Sequence, residues 1–140
     1  MNEYYIIEPE VAGGWGDDTK FTRISGRPVA IHELHYCFDG WMGDDLLEST
    51  PCYIVTEQLA AEIETSKLSG VSFDHVETSK SSQFEELYPD ISLPNFIWLK
   101  VIGRPSVDDF GLTSDLELVV SKKALGVLER FKISHALIRS

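Results

Sequence analysis

Phe96 to Ile102 reads FIWLKVI, seven residues broken only by Lys100. A polar backbone carrying apolar side chains on both faces is stable only inside a sheet that is covered above and below. The run therefore predicts a central strand. Shorter candidates surround it. Tyr4 to Glu8 is an aromatic and β-branched run ended by Pro9. Phe21 to Ile24, Val29 to Phe38, Cys52 to Val55, Val71 to Val76, Leu116 to Val120 and Ala136 to Ile138 also favour strands. VAGGWGDD near the N-terminus, the stretch ahead of Cys52, and GRPSVDDFGLTSD read as loops.

Helices are marked by caps. Thr56 and Ser121 each stand just before an apolar stripe at helical spacing. Their hydroxyls can accept the orphan amides of a first turn. Helices over about 57–68 and 122–131 follow, with a short one over Gln83 to Tyr88. IVTEQLAAEIE (Ile54 to Glu64) aligns without gaps on VVSKKALGVLE (Val119 to Glu129). A duplicated strand–helix–strand unit would produce this match. So would two independent capped junctions, because capping selects the same residue types. The expected fold is α+β: one domain over 1–140, with a mixed sheet of about five to seven strands. The expected core includes Ile6, Leu34, Tyr53, Val55, Leu59, Ile63, Phe73, Phe96, Trp98, Leu99, Val101, Leu118, Val120, Leu125, Leu128 and Phe131.

The formal charge is −11, and it is unevenly spread. Residues 1–98 hold 18 acids and 5 bases, whereas 99–140 hold 5 and 7. Such a chain disfavours nucleic acid and anionic membranes, which need lysine and arginine. It favours a basic partner, a cation or plain solubility. Cys37 and Cys52 lie outside any C-x-x-C and read as two thiols. The N-terminus lacks the apolar length of a signal peptide, which places the protein in the cytoplasm as an expectation.

Three acidic pairs lie in predicted loops, each near an aromatic: Asp17-Asp18 with Trp15, Asp44-Asp45 with Trp41, and Asp108-Asp109 with Phe110. Rings among carboxylates suit a basic protein partner, since rings supply buried area and acids speed encounter. The competing reading is a set of solvated turns. The stretch WMGDDLLES adds Met42 and Glu48 to the candidate partner-binding residues. HELHYC (His32 to Cys37) has residue types that suit zinc, but on a strand only Glu33, His35 and Cys37 share a face. A fourth ligand, Cys52 or His75, would have to come from elsewhere. A hydrolase using loop aspartates with His32, His35 or His75 is a further alternative. No P-loop or G-x-S-x-G elbow is present. No cofactor, metal or catalytic residue is expected on the leading reading.

WMGDDLLESTPCYIVTEQLAAEIETSKLSGVSF, LPNFIWLKVIGRPSVDDFG and LELVVSKKALGVLERFKISHALI together resemble bacterial immunity proteins, over roughly residues 38–140. These are small acidic cytoplasmic proteins encoded beside polymorphic or contact-dependent toxins. The resemblance implies a protein that is not an enzyme and acts by occluding a cognate toxin domain. It carries over no catalytic residues. Lys122-Lys123 make the C-terminal end locally basic, so an anionic inhibitory face is expected on the loops.

Overall fold

The computed structural model describes residues 3–140. Phe96–Val101 forms β9 and lies where its composition requires. It runs between β6 (Cys52–Thr56) and β7 (Val71–Asp74), and β5 (Leu46–Ser49) completes the order β5-β6-β9-β7. A second sheet has the order β10 (Phe110–Leu112), β11 (Leu118–Ser121), β1 (Tyr4–Glu8), β12 (Leu137–Arg139). A third is built on β4 (Ala30–Phe38). β2 (Gly13–Trp15) and β3 (Lys20–Thr22) pair antiparallel with β4, and β8 (Val76–Lys80) pairs parallel. The described residues thus hold twelve strands in three sheets, where one sheet of five to seven was expected. No helix among them is long and apolar enough to cross a membrane.

Helix α1 (Glu57–Thr65) begins at Thr56, whose Oγ1 accepts the Leu59 amide. α2 (Ser82–Leu87) begins at Ser81 in the same way. α3 (Lys122–Leu128) begins at Ser121, whose Oγ accepts the Ala124 amide at 3.0 Å. The two longer helices stop three residues short of expectation. Ser66 and Glu129 cap them in tightened last turns.

The first two sheets share one plan. Each contains a hairpin, a hydroxyl-capped helix and an edge strand, with an outside strand filling the place between. β9 fills it in the first sheet and β1 in the second. Thr56 pairs with Phe96 and Ser121 with Tyr4; Phe73 pairs with Leu99 and Ile138 with Ile7. Because β6 and β7 both run antiparallel to β9, they run parallel to each other, as do β11 and β12. The inward faces meet in one core: Ile7, Tyr53, Val55, Leu99, Phe110 and Val120 pack with Leu59, Ile63, Leu125 and Leu128 of the helices.

The sheets differ on their outward faces. Leu34, Tyr36 and Phe38 of β4 and Phe84 of α2 cover Ile54, Phe96 and Trp98, so β9 is buried twice. Each such side chain contributes roughly 1.5–3 kcal/mol by burial. On the outward face of the second sheet, Arg139 pairs instead with Glu8 at 2.6 Å and with Glu117. Ile6 lies on that face, half-buried, and Ile7 takes the inward place expected of it. Strand alternation allows only one of the two inside. Phe73, Val101 and Phe131 are half-buried at the edge of the core.

Candidate functional site

The loop between β4 and β5 is built around Glu10. Gly43 sits at φ 101, which turns the Met42 and Asp44 amides inward together. They donate to Glu10 Oε2 at 2.8 Å and Oε1 at 3.3 Å. Asp44 is fully buried. It accepts from the His135 amide at 2.8 Å, His135 Nδ1 at 2.9 Å and Ser134 Oγ at 3.4 Å. Asp45 accepts from the Lys132 amide and from Thr56 Oγ1, at 2.8 and 2.9 Å. Trp41 donates from Nε1 to the Asp44 carbonyl and sets its ring edge-on to Phe96. Asp39 and Met42 are exposed, Met42 at 56%. This loop is a latch on residues 132–135. Asp44 is therefore corrected as a partner-binding residue, because its oxygens are spent inside the fold. Glu48 is half-buried, which raises its carboxyl pKa against the opposing hydrogen bond from Thr50.

Asp108-Asp109 does equivalent work. Asp109 accepts from Ser121 Oγ at 2.6 Å and the Ser69 amide at 2.8 Å, as Asp45 does from Thr56 and Lys132. Asp108 accepts the Arg104 amide at 2.8 Å. Phe110 is fully buried in the core and is likewise corrected as a contact residue. Burial pushes the Asp109 carboxyl upward, but the hydrogen bonds from Ser121 and Ser69 outweigh it and leave its pKa below the ordinary aspartate value. A depressed folded-state pKa favours folding above the unfolded pKa, and that contribution disappears as pH falls through the folded value. Asp109→Asn should therefore flatten the loss of stability below about pH 4, read from thermal melts across pH. A variant that keeps the parent's acid profile would contradict this role.

The third pair is different. Residues 16–19 bulge between β2 and β3 and fold over the His35 ring. The Gly16 amide donates to the His35 carbonyl, the Asp18 amide to His35 Nδ1 at 3.2 Å, and the His35 amide to Thr19 Oγ1 at 2.9 Å. A Cβ on Gly16 would lie 2.1 Å from His35 Nδ1, closer than any tolerable contact. Gly16→Ala should cost about 1–3 kcal/mol in urea unfolding; a neutral substitution would show that the bulge is not pinned to the ring. Asp17 and Asp18 themselves are exposed. They form one lip of an open cleft of about 550 Å³. Glu33, Asp74 and Glu77 add three more carboxylates to its lining. Its only lysine, Lys20, is paired with Glu33 at 2.8 Å. Trp15 stands away from this lining: it packs beside Phe21, with the Arg23 guanidinium over both rings.

HELHYC does not assemble a metal set. His32 bonds Thr22, Glu33 bonds Lys20, and Cys52 lies in the core. His35 has Asp18 and Glu77 near it instead. Both ring nitrogens are occupied. Nδ1 accepts the Asp18 amide, so the proton resides on Nε2 and is donated to Ser79 Oγ at 2.7 Å. A nucleophilic serine needs the reverse polarity, donating to the imidazole. The second cluster, Glu10, Asp44 and His135, is the latch already described. Asp74, Glu77, Glu10 and His135 escaped sequence reasoning. Each is an isolated residue whose partners lie far along the chain, and no local spacing marks it. No family model matches the chain, and no curated protein matches it.

Proposed function

We propose that this is a non-catalytic immunity protein of the cytoplasm that neutralises a basic bacterial toxin domain, and that the cleft is where it grips. The carrying observation is the charge of that lining: Asp17, Asp18, Glu33, Asp74 and Glu77 against Lys20, with Lys100 beside Asp74 at 3.6 Å. Five carboxylates from three segments raise a negative potential that draws lysine and arginine side chains and speeds encounter. The Asp44-Asp45 and Asp108-Asp109 pairs contribute to the fold, so the partner surface is narrower than the acidic composition suggests. Met42 and Glu48 lie outside this lining and have no part in the grip. A toxin that cuts nucleic acid must carry a basic cleft of its own, which suits such a surface.

The test is expression of the domain encoded beside this chain, with and without it. Growth arrest relieved by co-expression, together with co-purification of the two, is the expected result. Arrest that persists despite soluble co-expression would overturn the reading.

A further inference from the structure

Next to the acidic cleft, the same hairpin carries the opposite charge. From Phe21 to Ile31 there is no acid, and Arg23 and Arg27 fall within it. Residues 20–28 are all exposed. Phe21 and Ile24 are 44% and 52% exposed, so the basic finger also presents apolar surface. Asp18 and Arg23 are five residues apart, which keeps them within roughly 17 Å of each other. That spacing fits within one patch of a standard interface, about 800 Å² per partner.

An acidic lobe beside a basic, apolar lobe is complementary to itself about a two-fold axis passing between them. Rotation sets each finger against the other copy's cleft. From this juxtaposition we infer that two copies of the chain associate face to face, with Arg23 and Arg27 of each entering the acidic cleft of the other. The net charge of −11 opposes association. At physiological salt that repulsion fades beyond about 8 Å, whereas contacts inside the interface are screened far less. The pair covers the cleft, so it competes with any basic partner that uses the same surface. The inference does not rest on the toxin reading, and no toxin enters its test.

The experiment is sedimentation equilibrium of the full chain at about 0.05 M and about 0.5 M salt. A mass near twice 15.8 kDa at low salt, falling toward 15.8 kDa at high salt, is expected. Arg23→Glu with Arg27→Glu should sediment as a monomer, and so should Asp17→Lys with Asp18→Lys. All four side chains are exposed, and circular dichroism checks that both variants fold. Mixing the two reversed variants should restore the double mass, because each supplies the charge the other's surface now lacks. A monomer at both salts, a dimer that survives either reversal, or a mixture that stays monomeric would each overturn the inference. Species larger than a dimer would also do so, since they require an open head-to-tail contact.

Discussion

Asp44→Ala should lower the free energy of unfolding by about 2–4 kcal/mol, the largest loss among the loop acids. The carboxylate has no exposure and accepts from the His135 amide, His135 Nδ1 and Ser134 Oγ. Alanine leaves the His135 amide without an acceptor and opens a space that water or the main chain must fill. Relief of its repulsion with Glu10 offsets only part of this, because each Glu10 oxygen already holds its own amide. Residues 132–135 would loosen first, and β12 follows them directly in the chain. Asp44→Asn keeps the shape but turns a donor toward a donor, so it should fall between alanine and the parent. Asp17→Ala should stay within about 0.5 kcal/mol, as exposed substitutions do. Urea unfolding followed by tryptophan fluorescence separates the cases. Equal and small losses for Asp44 and Asp17 would remove the latch.

The second large effect concerns binding. Asp18→Lys with Glu77→Lys reverses two of the five cleft carboxylates, one on each side of His35. Affinity for a basic toxin domain should fall on the order of 100-fold, since like charges then meet across the contact. Stability should barely move. Asp18 and Glu77 are exposed, and their contacts to His35, at 3.9 and 3.7 Å, are too long for hydrogen bonds, so little is lost with them. Calorimetric titration of the toxin domain with parent and variant supplies the comparison. Undiminished affinity in the folded variant would place the interface elsewhere.

Local signals located much of the fold. Tyr4–Glu8 forms the strand its composition predicts, because Pro9 stops pairing there. Thr56 and Ser121 cap α1 and α3 as their positions require. Ile54–Glu64 and Val119–Glu129 occupy matching places in the first two sheets. What composition could not show was pairing at a distance. Gly13–Trp15, Leu46–Ser49 and Phe110–Leu112 look like loop sequence, and become strands because β4, β6 and β11 offer them open edges. The acidic pairs were alike on paper. Asp45 and Asp109 are drawn inward by a cap hydroxyl and a distant amide, neither visible from neighbouring residues. Asp17-Asp18 remains outside because the bulge meets His35 through its amides and leaves its carboxylates to solvent. Asp74 and Glu77 join it from β7 of the first sheet and β8 of the third.

The most direct measurement is the association rate of a basic toxin domain, followed by stopped flow from low to high salt. For the parent it should fall steeply as ions screen the cleft. For Asp18→Lys with Glu77→Lys it should start lower and vary little. Identical salt slopes for the two proteins would contradict the claim that these carboxylates do the gripping.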